Sequence, residues 1–233
     1  GGFTESANYP VVGAFQSSSR GGRDGFLTKL SPDGKTAAYS TYLGSSSTIE
    51  DVRAVAVTTG GVASVVGFTD GPDFPAVQPL QSFLAGDGFV TTFGTDGQPF
   101  FSTPIGGSAN DAANAVSVDS SGNLYIAGET RSSNFPIQSG FQPTRQGALN
   151  AWLAKITNVT PAPPTLTITG ISPTLAGINT IVTVTVTSNQ SLNPDPTLTI
   201  GGRAATLAQK SGLTYTFTRQ LQGNEGQPTP PLV

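Results

Sequence analysis

The chain contains no cysteine, no histidine and no methionine in 233 residues, and the first two absences each remove a class of mechanism. Without Cys there is no disulfide, no thiolate nucleophile and no Cys-based zinc or iron–sulfur site. Without His, a Ser-His-Asp or Cys-His arrangement, a His-ligated metal and an imidazole general base are all excluded. Carboxylates, Lys, Tyr and hydroxyls are what remain for chemistry. Charge is scarce as well: 11% of the residues are charged, against about 25% in an ordinary soluble domain. The net charge is -3, and the basic residues are scattered singly from Arg20 to Arg219. That is not the clustered pattern nucleic acid requires. No apolar run approaches the ~20 residues of a membrane span. Neither a nucleic-acid partner nor a spanning helix is expected. The sequence opens at Gly1 without an initiating Met or a signal pattern, which reads as a mature form or as part of something longer. Lack of Cys is compatible with secretion where enough β core is present.

What the chain does contain is turn chemistry and short alternating strands. Gly 29 and Pro 18 punctuate segments of period two, and helical periodicity is hard to find. The class is all-β. Internal repetition is the more informative signal. Gly2-Phe3-Thr4 with Tyr9-Pro10, Gly67-Phe68-Thr69 with Phe74-Pro75, and Gly128-Glu129-Thr130 with Phe135-Pro136 line up, spaced by about 60 residues. Each is followed by Phe15-Gln16, Leu80-Gln81 or Phe141-Gln142, and then by a strand. Those strands are Gly25-Phe26-Leu27-Thr28-Lys29-Leu30, Gly88-Phe89-Val90-Thr91-Thr92-Phe93 and Ala151-Trp152-Leu153-Ala154-Lys155-Ile156. Hairpin turns at Pro32-Asp33-Gly34 and Thr95-Asp96-Gly97 lead to aromatic strands ending at Leu43-Gly44 and Ile105-Gly106. Four strands in each unit of about 60 residues is the composition of a propeller blade.

Asp111-Ala112-Ala113-Asn114-Ala115-Val116-Ser117-Val118, the turn Asp119-Ser120-Ser121-Gly122-Asn123, Leu124-Tyr125-Ile126-Ala127 and Asn134-Phe135-Pro136 together resemble the bacterial β-propeller repeat called SBBP. Tyr39-Ser40-Thr41-Tyr42-Leu43-Gly44 is similar to the same family, and the resemblance covers about residues 1–156. It implies tandem blades in secreted or surface-exposed bacterial proteins and brings no defined catalytic residues. In the middle repeat Thr59-Gly60-Gly61-Val62 replaces the Asp-Ser-Ser-Gly-Asn turn, so no calcium or catalytic role common to these turns is expected.

Residues 1–156 supply about two and a half blades, fewer than the roughly four that close a propeller. The first begins inside a blade, with Gly1-Gly2-Phe3-Thr4 as the tail of a strand. Three arrangements remain open: a longer protein, completion by other copies, or blades packed as an open sandwich. An unclosed sheet edge invites pairing with another chain.

A Pro-rich linker at 157–164 separates the repeats from a second region, 165–233. There Leu166 and Ile168, then Val182, Val184 and Val186, then Leu213, Tyr215 and Phe217 alternate with Thr. One apolar and one Thr face is a two-sheet sandwich signal. Together with residues 196–207 this resembles the Ig-like repeats of bacterial surface proteins. Only four or five strands fit, where a full Ig-like domain has about seven. The end, Gln227-Pro228-Thr229-Pro230-Pro231-Leu232-Val233, cannot form a regular ladder.

Chemistry has few candidates. Asp33-Gly34, Asp96-Gly97 and 119–123 could offer oxygen ligands but lack calcium-loop spacing, and hairpin turns explain them more economically. Glu5, Asp70 and Glu129 lie just past or within the repeated strand ends, and a glycan hydrolase would need two of them facing a cleft. Trp152 aligns with Phe26 and Phe89 and is expected in the blade core, as are Tyr39, Tyr42 and Tyr125. Asn158-Val159-Thr160 and Asn189-Gln190-Ser191 fit the N-glycosylation triplet.

The expectation is therefore an extracellular or cell-surface, non-catalytic structural or adhesive protein without cofactor or metal. In its sharpest form it is a filament subunit in which strand-exchange ends, Gly1, Gly2, Phe3 and Thr4 or Leu232 and Val233, complete a neighbour's sheet head to tail. Its partners would be further copies and glycans. The alternatives are a carbohydrate-binding module of a larger secreted protein, favoured if Trp152 or the Tyr residues line a groove, and a propeller-type hydrolase.

Overall fold

A computed structural model describes residues 1–84, 86–157, 159, 165–189, 192 and 195–222, and these form strands and turns without helix. The linker, apart from 157 and 159, lies outside the described residues, as do Asn158, Leu232 and Val233. The chain divides into two compact units, Gly1–Pro161 and Ala162–Val233.

In the first unit, β4 (Glu50–Val57), β5 (Ala63–Thr69), β6 (Asp87–Phe93) and β7 (Pro99–Ile105) make a four-stranded antiparallel sheet in sequence order. A partial copy precedes it, β1 (Gly2–Thr4), β2 (Asp24–Leu30) and β3 (Ala37–Leu43), and another follows, β8 (Asp111–Val118), β9 (Leu124–Thr130) and β10 (Asn150–Ile156). None of the sheets is closed on itself. The copies agree in register: Phe26 lies opposite Gly2, Phe89 opposite Gly67 and Trp152 opposite Gly128. They share even their bulges, with Arg53 the extra residue in β4 and Asn114 in β8. The two bulged residues meet, Arg53 Nη1 donating to Asn114 Oδ1 at 2.6 Å. The bulge is thus a point of attachment between neighbouring sheets.

The aromatic-Pro segments fold back along the outer strands. Ser40 Oγ donates to the Pro10 carbonyl and Ser102 Oγ to that of Pro75, both at 2.6 Å, and each segment adds a bridge, Val12 to Ser40 and Val77 to Ser102. Between sheets the faces are apolar. One cluster joins Leu27, Leu43 and Val52 to Val65, Phe89 and Phe93, and another joins Val66, Val90 and Ile105 to Ala113, Ile126 and Trp152. Phe89 and Trp152 are core, as their alignment implied. Tyr39 and Tyr42 are buried too, whereas Tyr125 is partly exposed under Lys155, whose ammonium sits 5.0 Å from the ring centroid. Tyr125 departs from the expectation of a core position.

The second unit holds the sheet β11 (Leu166–Ser172), β12 (Ile181–Ser188), β16 (Thr214–Gln220), β15 (Thr206–Ser211), in that spatial order. A hairpin of two residues per strand, β13 (Thr199–Ile200) and β14 (Arg203–Ala204), turns at Gly201 and Gly202, both at positive φ. Val182, Val184, Val186, Tyr215 and Phe217 form its core, and Leu198 and Ile200 pack against them. The alternation is as read for β12 and β16. It differs in β11, where Leu166, Ile168 and Ile171 are exposed. A bulge between Ile168 and Gly170 shifts the register there, and the described residues show one sheet and a hairpin rather than two full sheets.

Candidate functional site

The side chains of the hairpin turns are already engaged. Asp33 accepts from Ser31 Oγ and the Lys35 N–H. Asp119 accepts from the Ser121 and Asn123 N–H groups and from Asn123 Nδ2. These bonds, Ser31 foremost for Asp33 and the Asn123 side chain for Asp119, hold both carboxyls below their ordinary range. In the middle repeat Thr58 Oγ1 takes over by accepting from the Val62 N–H. They are turn-makers.

Glu5 is exposed, and Asp70 accepts from Thr48 Oγ1 and the Ile49 N–H, which ties down the loop between the first two sheets. Glu129 lines a cleft of about 200 Å³ with Arg53, Phe68, Asn110, Asp111 and Arg131. Among the described residues no hydrogen bond joins any two of Glu5, Asp70 and Glu129, and only Glu129 reaches the cleft. Trp152 is 8% exposed, donates through Nε1 to the Glu129 carbonyl at 3.0 Å and lies 5.2 Å from the Phe135 ring. It offers no surface to a sugar. Asn189 is engaged within the second unit, its Oδ1 accepting from the Thr165 N–H at 2.9 Å. Gly2, Phe3 and Thr4 pair with β2 of their own chain, and a Cβ on Gly1 would meet Val52.

The residues that stand out chemically were passed over in the sequence. Asp24, Glu50, Asp87 and Asp111 are 0 or 1% exposed, and they occur in pairs at the two seams between sheets. The construction repeats. The first residue of each new sheet bonds to the chain just before the preceding sheet's Asp: Glu50 N–H to the Arg23 carbonyl at 2.8 Å, Asp111 N–H to that of Gly86 at 2.7 Å. One oxygen of every carboxylate is engaged. Asp24 Oδ2 accepts from Ser19 Oγ and the Arg20 N–H, Glu50 Oε1 from Ser45 Oγ and Thr69 Oγ1, Asp87 Oδ2 from the Leu84 N–H, and Asp111 Oδ2 from the Gly107 N–H and Ser132 Oγ. The other oxygen of each, Asp24 Oδ1, Glu50 Oε2, Asp87 Oδ1 and Asp111 Oδ1, is buried without a partner among the described residues.

Two glycines make room. A Cβ on Gly44 would sit 1.9 Å from Asp24 Oδ1, and one on Gly106 would sit 2.2 Å from Asp87 Oδ1 and 2.8 Å from Asp111 Oδ2. The hydroxyl at each seam comes from opposite sides: Ser45 faces Gly71 at the first, Ser132 faces Gly107 at the second. Burial raises the Asp87 carboxyl to about 6, with Asp111 adding to the shift. Burial also raises Glu50, against the hydrogen bonds from Ser45 and Thr69. In the sequence Asp24 and Asp87 stand just ahead of the repeated Gly-Phe strands, and Glu50 and Asp111 open the following repeats.

The first unit is an antiparallel four-stranded meander flanked by partial copies in the same register, an all-β repeat architecture. Residues 101–136, from within β7 to past β9, match the family model described as SBBP, a beta-propeller repeat. Comparison with curated proteins gives no match.

Proposed function

We propose that the chain is a non-catalytic extracellular structural or adhesive protein that associates with further copies of itself through the open third repeat, with the second unit as an Ig-like module. One observation carries this reading. The chain continues beyond β10 into another unit, yet β10 pairs on one side only among the described residues, while its counterparts β2 and β6 are each flanked by a fourth-strand equivalent, β3 or β7.

The backbone of that edge can be specified. Pro104 has no N–H and lies opposite Phe89, so Phe89 bonds to β5 while Gly88, Val90 and Thr92 bond to β7. Trp152 stands where Phe89 does, which leaves the donors and acceptors of Ala151, Leu153 and Lys155 pointing to the open side. A charged Lys within an edge often blocks pairing. Here Lys155 occupies the position of Lys29, which stays in a strand paired with β3.

The test is negative-stain microscopy of the protein together with light scattering, with and without a peptide of the sequence of residues 37–44, which is the strand that pairs β2. Oligomers or filaments that the peptide disperses support strand addition at β10. A monomer at all concentrations, with no binding of the peptide, overturns it. Of the aromatic residues on which the carbohydrate-binding alternative rests, Trp152, Tyr39 and Tyr42 are buried and Tyr125 is exposed.

A further inference from the structure

We infer that the seam between the second and third repeats is a binding site for an oxygen-seeking divalent cation of the Ca²⁺ type, held between Asp87 and Asp111. Buried carboxylates are normally paired with a cation or a metal. Asp87 and Asp111 are 0 and 1% exposed, and neither forms an ion pair among the described residues. Each is anchored through Oδ2 and keeps a buried Oδ1 with no partner among the described residues. Because Oδ2 is fixed, neither side chain can swing to find a donor without breaking the bond that holds it.

The two groups also converge, since Asp87 Oδ1 and Asp111 Oδ2 both crowd the Cβ position of Gly106. The absence of a side chain there is what allows two like charges to approach. A bound cation would turn that repulsion into attraction. At the first seam Asp24 and Glu50 each also bear a buried oxygen unpartnered among the described residues. The third repeat supplies a natural control. Asn150, an amide, stands where the carboxylates Asp24 and Asp87 stand.

Ligand chemistry selects the ion class. The chain has neither His nor Cys, and hard oxygen donors suit Ca²⁺. No group of three or more acidic residues converges among the described residues, so water and main-chain carbonyls would complete the shell of about 6 to 8 oxygens. So few charges belong to weak sites, with dissociation constants of roughly 0.1 to 1 mM, the range of extracellular modules.

Thermal melts of the full chain, first stripped with EDTA and then compared in excess EDTA and in about 20 mM CaCl₂ at matched ionic strength, test this. Calcium is expected to raise the midpoint by roughly 5 °C. D87N and D111N should each lose most of that rise, while E129Q, which changes a carboxylate of the adjoining cleft, should keep it. Identical midpoints in calcium and EDTA would overturn the site, and would mean that water or a proton fills the gap. A calcium response that survives in D87N and D111N, with circular dichroism unchanged, would overturn it equally.

Discussion

Leu153 on β10 and Val90 on β6 hold the same position of the repeat, yet Leu153 is 76% exposed and Val90 is 0% exposed. The difference is the neighbour. Val90 packs against the third sheet, whereas nothing described covers Leu153. Replacing Val90 by Ala should therefore cost about 2 kcal/mol of stability. Leu153→Lys should change stability by less than about 0.5 kcal/mol. If the third repeat is an interface, the same Leu153→Lys change should abolish oligomers while leaving the urea midpoint in place. Urea melts and light scattering of the two variants read both effects.

Gly106 is constrained by what lies beside it rather than by its own φ. A methyl group there meets Asp87 Oδ1 at 2.2 Å and Asp111 Oδ2 at 2.8 Å. Gly106→Ala should destabilise by about 1 to 3 kcal/mol. Gly122→Ala makes the useful contrast, because its added atom meets nothing and only the positive φ of 81° resists it. Combining Gly106→Ala with D87N should recover part of the first loss, since a neutral amide relieves the charge crowding though not the bulk.

The Asp87 carboxyl gives a pH signature in calcium-free buffer. Its ordinary value is 3.8 and in the folded chain it is about 6, raised by burial and then by Asp111. Between those values the unfolded chain has released the proton and the folded chain still holds it. Stability is therefore fullest below pH 4 for this group and declines as pH rises towards 6, by about 3 kcal/mol at most. Glu50, raised chiefly by its burial, acts in the same direction. Urea melts from pH 4 to 7 should show this decline in the wild type and a flatter profile in D87N. A profile that is identical in the two proteins would assign the decline to other groups.

Much of the fold was readable because a repeat checks itself. Three aligned blocks fixed which residues alternate inward, and Trp152 could be placed in the core from Phe26 and Phe89 alone. The seam carboxylates were not readable in that way. Asp24 and Asp87 stand one residue ahead of the strands that attract attention, and Glu50 and Asp111 differ in length, so neither forms a motif with fixed spacing. Their meaning appears only when successive sheets stack and bring the end of one repeat onto the start of the next. The carboxylates that sequence reasoning favoured, Glu5, Asp70 and Glu129, share a place relative to the repeats but not a place in space. In the second unit the alternation of β12 and β16 was decisive because both faces of a paired strand are constrained. The edge strand β11 carries the same pattern with Leu166 and Ile168 exposed. Period two reports that a strand has two faces, and it is silent on whether anything covers the apolar one.

Trp152 permits a direct optical check of the core assignment. As the single Trp, 8% exposed and stacked near Phe135, it should emit at short wavelength and resist quenching by acrylamide. Trp152→Phe, which restores the residue of the other two repeats, should cost about 1 kcal/mol. Trp152→Ala should cost about 3 to 5 kcal/mol. Oligosaccharides should leave the emission unchanged, and a saturable change would revive a glycan-binding role for this face.

The two seams contain an exchange that can be turned into an experiment. At the first, Ser45 on the chain after β3 points its hydroxyl at Glu50, and Gly71 opposite leaves room. At the second, the hydroxyl reaching Asp111 is that of Ser132, which follows β9, and Gly107 leaves the room. Ser45 corresponds to Gly107, and Gly71 to Ser132. The seam needs one hydroxyl and one glycine, and either side can supply the hydroxyl. Ser45→Gly alone removes a 2.5 Å hydrogen bond from a buried carboxylate, and that should cost about 1 to 3 kcal/mol. Gly71→Ser alone places a Cβ 1.9 Å from Ser45 Oγ and should be at least as damaging. The double variant rebuilds the arrangement of the second seam at the first. It should be more stable than the sum of the two losses by roughly 1 to 3 kcal/mol in a double-mutant cycle. Strict additivity would show that the two positions do not share one site, and that the likeness of the seams is only in their backbone.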